Sequence, residues 1–225
     1  MNEDVPSDAK DSAVSGGKPA WYYDTHDHDI VNLLPTNSKS AVLELGCGSG
    51  VTGRKALGVG KAGRYVGIEI DRASARIAEA FLSEVLVGNI EALDLTSYHE
   101  MFDALVASEV LEHLIDPWTA LRKLHTCLKP GAVVIASSPN IAHWQIIRAL
   151  LKGQFRYAEY GVMDSTHLRW FTPESYKNMF IDAGFAVETL RSVREMSWKA
   201  KAFNAVTGGR LSHLLIKQIM VIAHR

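Results

Sequence analysis

Cysteine is scarce in this chain of 225 residues, which contains only Cys47 and Cys127. One lies inside a glycine-rich turn and the other in a helix-like segment, and this spacing fits neither a zinc site nor a disulfide framework. A chain of this length can bury a hydrophobic core without such cross-links. We therefore expect a reduced, cytoplasmic protein.

Long apolar runs and an excess of one charge are also lacking. No stretch approaches the roughly 20 apolar residues needed to span a membrane, and residues 1–19 lack the apolar core of a signal peptide. The 24 Lys and Arg residues balance 25 Asp and Glu residues, which gives a net charge of −1. This balance predicts no nucleic-acid or membrane partner and favours a small-molecule substrate. A homodimer is compatible with these features.

What the chain does contain is a polar segment followed by alternating strand and helix signals. Residues 1–19 predict a disordered tail and residues 20–225 a single domain. Apolar runs predict seven strands, at residues 41–45, 65–70, 85–87, 102–107, 132–136, 185–190 and 213–223. Capping and stop signals predict helices at residues 21–34, 52–57, 74–82, 116–128 and 172–183.

This alternation predicts an α/β fold with a largely parallel, seven-stranded sheet and helices on both faces. The last two strands follow one another across residues 192–210, where we predict no helix. Two consecutive strands without a crossover helix are typically antiparallel. We therefore expect an antiparallel last strand, which ordinary dinucleotide folds lack.

A glycine-rich turn follows the first strand, with Gly46, Gly48 and Gly50 at alternate positions around Cys47. Glycine lets the backbone approach a ligand closely, because no Cβ blocks it and positive φ angles cost little. Glu69 ends the next strand, where a carboxylate can accept hydrogen bonds from both hydroxyls of a ribose. The pattern predicts a nucleoside cofactor.

Two cofactors compete for this turn. The stretch from Gly48 to Gly53 matches the G-x-G-x-x-G fingerprint of NAD sites. Counted from Gly46 at the strand end, however, the third glycine position holds Val51. Glu44 would also place a negative charge near a pyrophosphate, whereas it suits a cofactor that carries an amino group and a sulfonium.

Three segments, residues 42–50, 66–71 and 102–113, together resemble class I S-adenosylmethionine-dependent methyltransferases of Rossmann-like fold. The resemblance runs from about residue 21 to the end of the chain. It implies that the turn contacts the methionine part, Glu69 the ribose, and residues after the third strand the adenine. Together, the turn and the resemblance give these candidate cofactor residues: Glu44, Gly46, Cys47, Gly48, Gly50, Glu69, Ile70, Asn89, Ile90, Ser108 and Val110.

Residues 137–144 and 164–173 resemble the subfamily that methylates oxygen atoms of polysaccharides, sugars and quinones. This implies an acceptor such as a sugar or another secondary metabolite. Methyl transfer needs an aligned acceptor oxygen and a base for its proton, a task that suits histidine. The candidate bases are His113, His143 and His167. The candidate substrate-binding residues are Tyr22, Tyr23, His26, Trp144, Arg169 and Trp170.

A divalent metal is a further hypothesis for this region. Glu109, Glu112 and His113 have i, i+3, i+4 spacing and would share one face of a helix. Ubiquinone-type O-methyltransferases and small-RNA 3′-end methyltransferases have a similar E-x-x-E-H arrangement with a further histidine, here His143 or His167. Many metal-free relatives carry the same letters, so metal-free catalysis is our working hypothesis. An NAD-dependent oxidoreductase and a non-catalytic S-adenosylmethionine-binding scaffold remain as alternatives.

Overall fold

The computed structural model describes residues 27–225, and their side chains from residue 30 onward. In this range seven strands form one sheet: β1 (Ala41–Leu45), β2 (Arg64–Glu69), β3 (Glu84–Val87), β4 (Phe102–Ser108), β5 (Leu128–Pro139), β6 (Ala186–Ser192) and β7 (Gln218–His224). The α-helices are α1 (Asp27–Leu33), α2 (Val51–Gly58), α3 (Arg72–Ala78), α4 (Pro117–Cys127), α5 (Trp144–Leu151), α6 (Pro173–Asp182) and α7 (Trp198–Val206).

The strand order is β3-β2-β1-β4-β5-β7-β6. Strands β1 to β5 pair in parallel, whereas β7 is antiparallel to both β5 and β6. The predicted fold class and antiparallel last strand are therefore confirmed. The carboxyl ends of β1, β2, β4 and β5 meet at one edge of the sheet, where ligands collect in open α/β sheets.

Our prediction that no helix separates the last two strands is wrong. Helix α7 lies between them, and the Ser197 side chain caps it by accepting from the Ala200 N–H at 3.3 Å. Ser197, the Lys- and Ala-rich stretch and the glycines after Thr207 were the overlooked helix signals. Helix α5 was also not predicted. The first residues of the expected strand 213–223 instead include a short 3₁₀ helix, Ser212–Leu214.

Two apolar clusters pack on opposite faces of the sheet, because successive residues of a strand point to opposite sides. Leu43 and Leu105 belong to the cluster that contains residues of α4 and α6. Val42 and Val106 belong to the cluster that contains residues of α1, α2 and α3. The predicted arrangement of helices on both faces therefore has a core on each side.

Gly53 lets α2 pack closely against β2. A Cβ on Gly53 would lie 2.3 Å from the Cδ2 of Leu82 and 2.6 Å from the Cδ1 of Tyr65. Gly58, at the other end of the same helix, has nothing within 4 Å of an added Cβ. The two glycines of α2 thus differ in the space around them.

We expect Gly53→Ala to lower the free energy of unfolding by about 1–3 kcal/mol, because the added methyl group overpacks the core. Gly58→Ala is the matched control and should leave stability unchanged or raise it by up to about 1 kcal/mol, since alanine favours helix. Urea unfolding followed by circular dichroism measures both values. Equal stability of the two variants would contradict the close packing of α2.

Candidate functional site

The glycine-rich turn, residues 46–50, connects the carboxyl end of β1 to the start of α2. Gly46, Gly48 and Gly50 have φ angles of +70°, +53° and +80°, which a residue with a Cβ adopts only at a cost. A Cβ on Gly46 would also lie 2.9 Å from the Cγ2 of Val110. The turn therefore requires glycine, and Gly46 and Val110 lie side by side.

Glu69 holds this turn against the end of β2. Its Oε2 accepts the Gly48 N–H and its Oε1 accepts the Asp71 N–H, both at 2.8 Å. The residue is 8% exposed. Each carboxylate oxygen has a second lone pair, so the carboxylate can still accept one hydroxyl hydrogen at each oxygen. This is the pairing that a ribose requires.

Three of the remaining four N–H groups of the turn are donated within the protein. Those of Gly46 and Cys47 donate to the Ile68 carbonyl at 2.8 and 3.2 Å, and that of Gly50 donates to the Cys47 carbonyl at 2.9 Å. A pyrophosphate site depends on backbone N–H groups that point at the ligand. The turn therefore suits a dinucleotide poorly.

Two buried carboxylates, Glu44 and Glu69, give the turn negative charge instead. Burial, followed by the neighbouring Glu44 and Glu69, raises the pKa of the Cys47 thiol far above its ordinary range. Cys47 is therefore a neutral packing residue, and its Sγ fills the space beside Gly67. These carboxylates fit a cofactor with cationic groups, such as the amino group and sulfonium of S-adenosylmethionine.

The residues expected around the adenine follow β2 and β3. Ile70 is 68% exposed and Ile90 is 3% exposed within the core. The Oδ1 of Asn89 accepts the Glu91 N–H at 2.9 Å. This bond uses the amide oxygen and not the amide N–H groups of Asn89. Lys123 donates to the Ile90 carbonyl at 2.8 Å and fixes the loop.

A polar network joins the ends of β4 and β5. The Oγ atoms of Ser108 and Ser137 lie 2.9 Å apart, and Ser137 also donates to Glu109 at 3.0 Å. The Tyr176 hydroxyl donates to the Ser137 carbonyl at 3.0 Å. Burial raises the pKa of Glu109 to about 7. Its φ of +51° is a sparsely populated conformation for a residue with a Cβ, and such conformations are enriched at functional sites.

Beside this network, three predicted residues come together. One ligand atom from each of Glu112, His113 and His167 lies within 4.8 Å of the others. The two imidazole rings have centroids 4.8 Å apart, and Glu112 is 1% exposed and accepts the Ser138 hydroxyl at 3.2 Å. We call Glu112, His113 and His167 the histidine cluster.

Backbone carbonyls fix the tautomers of both histidines. The Nδ1 of His113 lies 3.2 Å from the Thr166 carbonyl oxygen, and the Nδ1 of His167 lies 3.2 Å from the Val162 carbonyl oxygen. Because a carbonyl oxygen only accepts, each Nδ1 carries the hydrogen. In the neutral rings, Nε2 therefore carries the lone pair that a proton or a cation requires.

Glu109 and His143 do not join the histidine cluster. Residues Leu111–His113 form a 3₁₀ turn rather than an α-helix, and the left-handed φ of Glu109 sends its carboxylate toward Ser137. His143 stands at the start of α5, where burial and then Lys217 lower its pKa. Of the two histidines considered as a further ligand, the structure brings His167 to Glu112.

Arg169 and Trp170 hold the loop that carries His167. The Arg169 Nε donates to the Ile115 carbonyl at 3.1 Å, and the Trp170 indole donates to the Val162 carbonyl at 3.3 Å. The Arg169 guanidinium thus donates to a backbone carbonyl. Its role in substrate binding stays a prediction. Tyr22, Tyr23 and His26, the other candidates near the chain start, lie outside the described residues.

Two aromatic residues that our sequence reasoning missed, Phe155 and Tyr157, surround Trp170 with ring centroids 5.9 and 6.2 Å from its own. Trp144 is 44% exposed at the start of α5. Ser137 and Thr166 were also missed as site residues. Ser137 comes directly after the predicted strand 132–136, and Thr166 directly precedes the candidate base His167. The sequence signal for Phe155 and Tyr157 was weak, because they lie in an irregular loop.

Comparisons with known proteins agree with this geometry. A family model described as a methyltransferase domain matches residues 23–190. A 37.1 kDa protein in transposon TN4556 of Streptomyces fradiae is 27% identical over 185 residues, which are 80% of this chain and 53% of that protein. A ubiquinone biosynthesis O-methyltransferase of Ruegeria pomeroyi is 30% identical over 149 residues, which are 64% of this chain and 58% of that protein. The chain thus spans little more than half the length of these relatives.

A solved structure shows the same fold. The S-adenosylmethionine-dependent methyltransferase from Mesorhizobium loti aligns with a TM-score of 0.64 and 18% identity, over 90% of this chain and 100% of that chain. The family model covers most of the chain, and in the sheet an antiparallel β7 lies between β5 and β6. The chain therefore belongs to the class I S-adenosylmethionine-dependent methyltransferases.

Proposed function

We propose that this protein transfers the methyl group of S-adenosylmethionine to a hydroxyl oxygen of a small molecule. The observation that carries the proposal is the placement of two sites at one edge of the sheet. The glycine-rich turn tethered by Glu69 follows β1, and the histidine cluster follows β4. Relatives that include ubiquinone biosynthesis O-methyltransferases support oxygen as the methyl acceptor.

Bound S-adenosylmethionine supplies an electrophilic methyl group on a sulfonium. In this proposal Glu69 accepts the ribose hydroxyls, and the buried Glu44 and Glu69 stabilise the positive charge of the cofactor. Asn89 and Ile90 flank the adenine. Ser108 and Val110 stand beside the turn, where the methyl group meets the acceptor.

The acceptor oxygen forms a bond to the methyl carbon while the carbon–sulfur bond breaks, leaving S-adenosylhomocysteine. The proton of the acceptor hydroxyl passes to the Nε2 of His113 or His167, whose Nδ1 hydrogens donate to backbone carbonyls. Glu112 stabilises the imidazolium that forms, since its carboxylate lies within the same cluster. His143 is the weaker candidate base, because it stands apart from this cluster.

Aromatic side chains near the histidine cluster favour a flat acceptor. Phe155, Tyr157 and Trp170 contact one another and are at least partly exposed. Such rings stack on an aromatic acceptor or on the apolar face of a sugar. Trp144 and Arg169 are further candidates for contacts with the acceptor.

One specific observation favours a second mechanism at the same place. Two histidines and a carboxylate within 4.8 Å can hold a divalent ion. An ion there would polarise the acceptor hydroxyl and lower its pKa. Metal-free proton transfer remains our proposal, and removal of metal distinguishes the two.

We expect calorimetry to show binding of S-adenosylhomocysteine and no comparable binding of NADH. Glu69→Gln should weaken S-adenosylhomocysteine about 10- to 100-fold, since hydrogen bonds to a charged acceptor contribute roughly 1.5–3 kcal/mol. Glu79→Gln, a change at an exposed carboxylate beyond α3, is the control. A preference for NADH, or equal affinity of the two variants, would contradict the cofactor assignment.

Of the variants His113→Ala and His167→Ala, the one that removes the base should reduce turnover at least 100-fold, the usual contribution of a general base. Their affinity for S-adenosylhomocysteine should stay unchanged. The assay follows label from methyl-labelled S-adenosylmethionine into a metabolite extract, with His99→Ala at an exposed position as control. If wild-type protein labels no acceptor, the non-catalytic scaffold becomes the better explanation.

Treatment with EDTA and metal-stripped buffers should leave the rate of labelling unchanged. The metal-free proposal requires this result because the proton goes directly to an imidazole. Activity lost on chelation and restored by Mg²⁺ would contradict it. In that case Glu112→Gln should also weaken Mg²⁺ activation.

A further inference from the structure

Helix α7 exposes its apolar residues instead of burying them. Trp198 is 74% exposed, Val206 is 87% exposed and Phe203 is 46% exposed. Asn204, by contrast, faces the protein with a buried Oδ1. A surface helix normally turns its apolar stripe to the core, and nine residues form a marginal helix without a packing surface. Its outer face is therefore suited to an apolar environment.

Helix α5 has the same property. Leu151 is 84% exposed and Leu150 is 42% exposed. An open pocket of about 270 Å³ lies between α5 and the following loop, and its lining includes Ile146, Phe155 and Met163. Together the two helices expose more large apolar side chains than scattered surface residues explain.

The two helices emerge at the same edge of the sheet. Pro139 at the end of β5 pairs with Gln218 at the start of β7. Just beyond, the Asn140 side chain donates to the carbonyls of His213 and Ile216 at 2.7 and 2.6 Å. This is also the edge at which Ser137 joins the polar network beside the histidine cluster.

Positive charge is concentrated in these same connections. Residues 140–157 and 193–217 contain a single acidic residue, Glu195. They contain eight basic residues: Arg148, Lys152, Arg156, Arg194, Lys199, Lys201, Arg210 and Lys217. The net charge of −1 for the whole chain therefore conceals a basic region. We call residues 140–157 and 193–217 the basic apolar face.

We propose that the basic apolar face docks on an anionic lipid surface. None of the described helices has the length and hydropathy to cross a membrane, so the contact would be peripheral. Helices with exposed Trp and aliphatic residues flanked by Lys and Arg lie in the headgroup region. Each Lys or Arg near an anionic surface adds to the attraction. The Nζ of Lys199 lies 5.6 Å from the ring centroid of Trp198, so a basic group and an exposed aromatic ring stand side by side here.

Other occupants fit this face less well. A second copy meeting it symmetrically would bring two positively charged surfaces together. A nucleic acid would match the charge, but the outermost Val206 and Leu151 offer nothing to phosphates or bases. An anionic lipid surface offers negatively charged headgroups to the basic residues and an apolar layer to the exposed apolar side chains. If the proposed function also holds, the acceptor site lies at the edge that faces the lipid.

The test is flotation of the full chain with phosphatidylcholine vesicles, with and without 30% phosphatidylglycerol. We expect binding to the anionic vesicles only, weakened by high salt. Lys199→Glu combined with Lys201→Glu should lower the partition coefficient about tenfold or more. Trp198→Ser combined with Val206→Ser should lower it at low salt as well.

Val59→Ser combined with Ile77→Ser is the matched control, because it removes exposed apolar residues of α2 and α3 regions outside this face. It should float like wild-type protein, and circular dichroism should show all variants folded. Equal binding to neutral and anionic vesicles, or equal loss in the control, would overturn the proposal. If the wild-type protein is a dimer that binds no vesicles, and Trp198→Ser/Val206→Ser is a monomer, the basic apolar face binds a second copy instead. Flotation needs no methyl transfer, so its failure leaves the proposed function untouched.

Discussion

The carboxylate of Glu69 is the contact on which the cofactor site depends. It accepts the N–H groups of Gly48 and Asp71, and so links the glycine-rich turn after β1 to the helix start after β2. The parallel pairing of Leu45 with Ile68 brings the two strand ends level. Three of the remaining four N–H groups of the turn are donated within the protein, and the carboxylates of Glu44 and Glu69 are buried close to Cys47. This favours a sulfonium cofactor over a pyrophosphate.

A second link depends on the backbone of Glu112. Its carbonyl accepts the N–H groups of Leu168 and Arg169 at 2.9 and 3.0 Å, which places His167 beside His113 although 54 positions separate them in the chain. Asp164 strengthens the same loop by accepting the Thr166 N–H at 2.9 Å. Both histidines then have their Nδ1 hydrogens directed at carbonyls. The proposed base is therefore oriented by main-chain carbonyls, on a loop that main-chain and side-chain hydrogen bonds hold together.

The distribution of charge follows the topology of the sheet. The loop after β5 and the connection before β7 are far apart in sequence, but the antiparallel pairing of Pro139 with Gln218 makes them neighbours. Their basic residues are then brought to one edge of the sheet, while acidic residues predominate elsewhere in a nearly neutral chain. For this reason, the net charge of the whole chain does not reveal this local excess of basic residues. The exposed apolar side chains of α7 make the same region hydrophobic as well as basic.

The sequence by itself determined the fold class, the glycine-rich turn and the acid at the end of β2, because these depend on local hydrophobic periodicity and on the conformational freedom of glycine. It also located α4 and α6 through the caps Asp116 and Thr172. It missed α5 and α7, which span only eight and nine residues. Only the tertiary structure decided that His167 rather than Glu109 or His143 stands with Glu112 and His113. That choice depends on the left-handed φ of Glu109 and on hydrogen bonds between distant segments, neither of which residue spacing can reveal.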